Sequence, residues 1–137
     1  MKKFLTLLLI VPLLSMTVEI DNSKFIGKWV GEDGKEIGYI TFDSEGYATF
    51  EIQGQVFGGK EFVLDGKRGK MTYEIKDGTE PIEVDLIMTN LDNGDVRTLS
   101  CIANFIDDNT MEFAMGFSDK RPTDFGGEDA IILKRVK

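Results

Sequence analysis

The chain holds no histidine and a single cysteine, Cys101. Its reactive groups are therefore carboxylates, tyrosines, lysines and arginines. Ser-His-Asp and Cys-His nucleophiles, histidine zinc sites and histidine general bases are all ruled out. One cysteine also excludes an intrachain disulfide and a cysteine metal cluster. Glu83 and Asp85 lie two apart in an alternating stretch and share a strand face, and a glycosidase needs two carboxylates about 5 to 10 Å apart. That face alternates against an apolar one, so a solvated surface is expected for both. Asp92-Asn93-Gly94-Asp95 invites a calcium reading but lacks the ligand spacing of an EF-hand loop, and a hairpin turn accounts for it. Lys67-Arg68-x-Lys70 is a small basic cluster beside a turn, expected on a wet face. Cys101 has no charged neighbour in sequence and is expected to behave as a small core residue. Neither a metal site nor a cofactor site emerges.

Charge narrows the partners. Twenty-four acidic residues against 16 basic ones give a net charge of −8. Sequence-independent nucleic-acid binding needs a basic face, so no nucleic acid is expected. A length of 137 residues implies one domain, with a core that buries roughly two-thirds of the unfolded surface. The opening MKKFLTLLLIVPLLSMT has the layout of an export signal. Lys2 and Lys3 precede the apolar run Phe4 to Leu14, which is too short to span a bilayer, since a spanning helix needs about 20 residues. Residues 1–17 thus read as a signal peptide, 18–24 as an N-terminal extension and 25–137 as the folded domain. A periplasmic or extracellular location follows, with no membrane span once the signal is removed.

The elements that position these residues are strands. Turn signals recur at Asp33-Gly34, Glu45-Gly46, Gly58-Gly59, Asp65-Gly66, Asp77-Gly78, Asn93-Gly94 and Asp107-Asp108-Asn109, and Asx-Gly pairs suit the positive φ of tight hairpins. Between them the apolar residues alternate. Ala48, Phe50 and Ile52 share one side; so do Met71, Tyr73 and Ile75, then Ile82, Val84 and Leu86, then Met111, Phe113 and Met115. Period-two alternation is the mark of antiparallel sheet with one dry face. Runs at Lys28-Val30, Ile37-Phe42, Lys60-Leu64, Val96-Ile106 and Ala130-Val136 bring the total to eight or nine strands. Hairpin-sized gaps predict an all-β, antiparallel, up-and-down barrel.

Gly27-Lys28-Trp29 at the first strand and Lys134-Arg135 at the last resemble the lipocalin-like, or calycin, β-barrels. There a Gly-x-Trp opens the barrel, and an arginine from the final strand packs over the tryptophan. The resemblance implies that Trp29 and Arg135 close one end, a cation–π contact worth about 2 kcal/mol when desolvated. The stretch from Gly69 to Arg135 is similar to a bacterial family of small, exported lipocalin-like proteins without an assigned activity. The matching segments are Lys70 to Tyr73, Pro81-Ile82-Glu83-Val84-Asp85-Leu86, Arg121-Pro122-Thr123-Asp124-Phe125 and Leu133-Lys134-Arg135. The chain departs from the larger lipocalins in being shorter and in lacking a helix after the last strand, and a narrow barrel is expected from that departure.

Inward residues are then Ile40, Phe42, Phe50, Ile52, Tyr73, Val84, Leu86, Met88, Phe113 and Met115. They read either as a packed core or as an apolar pocket with adaptable Phe and Met walls. The ligand candidates are Phe42, Phe50, Tyr73, Met88, Phe113, Met115 and Arg121. A buried Tyr73 hydroxyl needs a partner, either a ligand head group or a backbone carbonyl. Arg121 lies in the long Ser118–Asp129 loop. It either holds an anionic head group bidentately or pairs with Asp124 or Asp129 while Phe125 plugs a barrel end. The expected function is a monomeric, non-enzymatic barrel for a small apolar or amphipathic ligand. The alternative is a solid barrel acting as a protein-binding or inhibitor module in the cell envelope.

Overall fold

The computed structural model describes residues 23–31, 38–76, 78–116, 120–127 and 130–137. The signal segment, nearly all of the extension, the Asp33-Gly34 turn, Ser118 and Asp129 lie outside them. Ten strands follow one another: β1 Gly27–Gly31, β2 Tyr39–Phe42, β3 Ala48–Ile52, β4 Gln55–Gly58, β5 Phe62–Leu64, β6 Lys67–Lys76, β7 Ile82–Asn90, β8 Val96–Asp107, β9 Thr110–Gly116 and β10 Ala130–Arg135. The count exceeds the expected eight or nine because Gln53-Gly54 is itself a turn. Both residues have positive φ, 51° and 82°, the geometry of a two-residue hairpin. Glutamine lacks the short side chain that marks Asx-Gly turns, so the β3–β4 hairpin leaves little trace in the sequence.

All neighbours are antiparallel, in the order β4-β3-β2-β1-β10-β9-β8-β7-β6-β5. The first and last strands meet with Trp29 opposite Arg135. Among the described residues, only the seam between β4 and β5 lacks strand pairing. It is bridged below by hydrogen bonds from the Met71 amide to the Gly59 carbonyl (2.9 Å) and from the Tyr73 amide to the Gly46 carbonyl (3.0 Å). The result is a nearly closed up-and-down barrel. Gly58 makes the crossing possible: its φ is +117°, and a Cβ there would collide with the Ala48 carbonyl.

Alternation places one residue in two inside. Ile40, Phe42, Val84, Leu86, Met111, Phe113 and Leu133 are fully buried. Phe42 meets Tyr73 edge-on at 4.9 Å and Phe113 at 6.4 Å between ring centroids. Below this layer the Trp29 indole N–H donates to the Phe25 carbonyl at 2.9 Å. Phe25 stands edge-on to Phe105 at 4.9 Å and to Phe42 at 5.9 Å. The Arg135 guanidinium lies 4.3 Å over the Trp29 ring. It also donates to the carbonyls of Ile26 and Lys24 (both 2.8 Å) and of Asp108 (3.0 Å). This end of the barrel is therefore closed by the N-terminal turn, the β8–β9 connection and one arginine that touches both.

Cys101 is wholly buried, and burial is the chief reason its thiol is pushed up to about 12. The native state keeps a proton that the unfolded chain sheds from roughly pH 8.5 upward. Stability is complete below that pH and falls above it, by about 1.4 kcal/mol per pH unit. Tyr73, raised by burial and then by the charge of Asp43, adds a loss of the same sign. Urea unfolding of the wild type and of Cys101→Ala at pH 8 and pH 10.5 checks this. The variant should lose distinctly less stability over that interval, and equal slopes would refute the assignment.

Candidate functional site

The predicted ligand residues occupy three different places. Phe42, Phe50, Tyr73, Phe113 and Met115 belong to the core cluster and pack on one another. The Tyr73 hydroxyl donates to the Asp43 carbonyl at 2.7 Å, so of the two partners left open it has the backbone one. Met88 is half-buried at the upper end of β7.

Arg121 is outside the barrel. Its guanidinium donates to Asp85 at 2.7 Å and to the Cys101 carbonyl at 2.8 Å, with Glu83 at 3.8 Å. This corrects two expectations. Arg121 pairs across the sheet, while the Asp124 carboxylate accepts from the Gly126 amide in its own turn. Glu83 and Asp85 form a half-buried ion-pair surface, with Asp85 only 16% exposed. Residues 120–127 thus run as a strap on the outer face, with Arg121 on β7 and β8 and Ala114 of β9 lining a shared cavity with residues 120–124. Ile102 and Ala114 are buried although they face outward. Phe125, expected to plug a barrel end, is half-buried on this strap and is not a member of the core cluster.

A cleft of about 610 Å³ opens at the end of the barrel opposite Trp29. Its lining comes from two hairpins that outreach the rest of the barrel: Phe62, Leu64 and Gly69 from β5–β6, and Met88, Asn90 and Arg97 from β7–β8. Residues directly opposite on paired strands share a face. Phe62 is opposite Gly69, Leu64 opposite Lys67, Gly69 opposite Asn90 and Met88 opposite Arg97. The concave side therefore carries Phe62, Leu64 and Met88 together with Lys67, Asn90 and Arg97. Gly69 lets the Phe62 ring approach closely, since a Cβ would stand 3.2 Å from it. That ring lies across β6 as the floor of the cleft.

Both hairpins are locked by local polar contacts. Asn90 Oδ1 accepts the amides of Asp92 and Asn93 at 2.8 and 3.2 Å, and Asn93 Oδ1 accepts that of Asp95 at 2.8 Å. Arg68 on the outer side joins them, its Nε 3.0 Å from Asp92. The Arg68 backbone amide and guanidinium together hold the Asp92 carboxyl below its ordinary range. The basic cluster Lys67-Arg68 is thus divided: Arg68 ties the hairpins together, and Lys67 lines the cleft.

Met88 is the single member of the predicted ligand set that reaches this cleft. Phe62, Leu64 and Arg97 were missed. The signal for Arg97 was present in the alternation of Val96 to Leu99, where it shares parity with Leu99 and Cys101. A charged residue at an inward position marks the point where the strand leaves the core.

Comparison with protein-family models, with curated proteins and with solved structures finds no match. The fold and site define the class themselves: a nearly closed antiparallel β-barrel, compatible with a lipocalin-like fold, with a filled interior layer and an open cleft at its mouth.

Proposed function

We propose that the protein is an exported, non-enzymatic, lipocalin-like binding barrel of the small bacterial type, and that it takes a small amphipathic molecule at the mouth. The observation that supports this reading is the cleft of about 610 Å³ with Phe62, Leu64 and Met88 on its walls and polar groups at its rim. Ligand sites are mostly apolar concavities of about 300 to 1,000 Å³ with a few placed polar groups. The interior Phe and Met residues then serve as the rigid support of the site, and the ligand's apolar part lies on the two hairpins above them. The protein acts as a monomer and needs neither metal, cofactor nor nucleic acid.

The test is titration of the purified protein with the neutral fluorescent probe N-phenyl-1-naphthylamine, alongside native mass spectrometry for a co-purifying small molecule. Saturable binding that weakens about tenfold in Phe62→Ala and Met88→Ala is expected, since each substitution removes apolar contact worth roughly 1 to 2 kcal/mol. Absence of saturable binding, or binding indifferent to both substitutions, would end this reading.

A protein-binding module is the second reading. It is favoured by Val56 and Val63, 60% and 64% exposed, on either side of the unpaired β4–β5 seam. Exposed apolar residues beside a free strand edge suit a docking partner.

A further inference from the structure

The cleft carries charged side chains beside its apolar lining. The chain has four arginines, and three are engaged by the fold. Arg68 pairs with Asp92, Arg121 with Asp85, and Arg135 caps Trp29. Arg97 has neither a hydrogen-bond partner nor an ion-pair partner among the described residues, and neither has Lys67. Both are cleft residues, standing opposite Met88 and Leu64 respectively. In a chain of net charge −8, two cations without ion-pair partners among the described residues thus border an apolar floor.

Two carboxylates, Asp65 and Asp95, also line the cleft. Each precedes one of the cations by two residues and sits at a hairpin tip. Arg97 lies nearer the barrel than Asp95, one inward position from the apolar layer where Leu86 faces Leu99, whereas Lys67 stands opposite Leu64 at the tip of the β5–β6 hairpin. A ligand whose tail rests on Phe62 and Met88 has Arg97 beside Met88 and Lys67 beyond Phe62 at the rim. A guanidinium matches a planar or tetrahedral oxyanion with two parallel hydrogen bonds, and an ammonium adds charge.

We propose that the mouth cleft selects a free, single-chain amphiphile with an anionic carboxylate, sulfate or sulfonate head, held by Arg97 and assisted by the charge of Lys67 at the rim. This inference rests on the binding reading above and names its ligand class.

The experiment compares decyl sulfate with decanol, both below micellar concentrations, by isothermal titration calorimetry on the purified folded protein. Decyl sulfate is expected to bind about tenfold more tightly, in line with a charge-assisted hydrogen bond. Arg97→Gln and Lys67→Gln should each reduce that preference, and Arg97→Lys should restore part of it. Both side chains are exposed, so the variants should keep wild-type thermal unfolding. Equal affinity for the two probes, or a preference indifferent to both variants, overturns the proposal while decanol binding keeps the broader reading. Binding of neither probe removes both. Flotation with phosphatidylglycerol vesicles in place of binding to decyl sulfate would also overturn it, since the target would then be a membrane surface.

Discussion

Phe42→Ala is expected to lower the unfolding free energy by about 4 kcal/mol, one of the largest losses any single truncation in this chain should cause. The ring is fully buried and meets Phe25, Tyr73 and Phe113 at centroid distances of 5.9, 4.9 and 6.4 Å. Removing it deletes the transfer energy of the ring and leaves a hole. The walls of that hole cannot close in, because Tyr73 is tethered to Asp43 and Phe25 to Trp29. Urea denaturation of the wild type and the variant measures the difference, with the slope expected to stay the same. The result also decides what the interior is. A residue that merely lines an unfilled ligand chamber has few contacts to lose, so a cost below about 1.5 kcal/mol would point to an interior with space for a guest. Phe62→Ala provides the contrast: half-exposed on the cleft floor, it should cost clearly less stability and act on probe binding instead.

The second large effect is at the opposite end of the chain. Arg135→Ala should destabilise by about 3 kcal/mol, combining lost charge-assisted hydrogen bonds with the lost contact over Trp29. The guanidinium accounts for carbonyls on two separate segments, the N-terminal turn at Lys24 and Ile26 and the β8–β9 connection at Asp108. These segments lie more than a hundred and about 27 residues away along the chain, respectively. No shorter side chain reaches both. Arg135→Lys keeps the charge but not the fork and should recover only part of the loss. A double-mutant cycle with Trp29→Phe isolates the ring contact, and a coupling energy near zero would show that Arg135 acts through the carbonyls alone. Hydrogen exchange in the N-terminal turn should rise in Arg135→Ala, because Phe25 is held there by the Trp29 indole and by what Arg135 clamps.

Much of the barrel was legible because a strand writes its two faces locally. Met71, Tyr73 and Ile75, or Met111, Phe113 and Met115, declare an inside by alternation, and Asp65-Gly66 declares a turn by the positive φ that Gly supplies. Even the closing pair Trp29 and Arg135, at the two ends of the domain, came within reach through resemblance. The β3–β4 hairpin was lost because Gln53 adopts a turn conformation without being a usual turn residue.

The sequence by itself determined that this chain is an antiparallel sheet with a dry and a wet face, and which side chains belong to each. It did not determine where the dry face would be left uncovered. That depends on unequal strand lengths: β6, β7 and β8 have 10, 9 and 12 residues, whereas β2 and β3 across the barrel have 4 and 5. The long hairpins therefore project past their opposite wall, and inward residues that would have been core become the lining of a cleft. Register then sets Arg97 opposite Met88, and the strap brings Arg121 to Asp85, 36 residues away. Such pairings are set by how the barrel curves and closes, a property of all ten strands together, and no local pattern carries them.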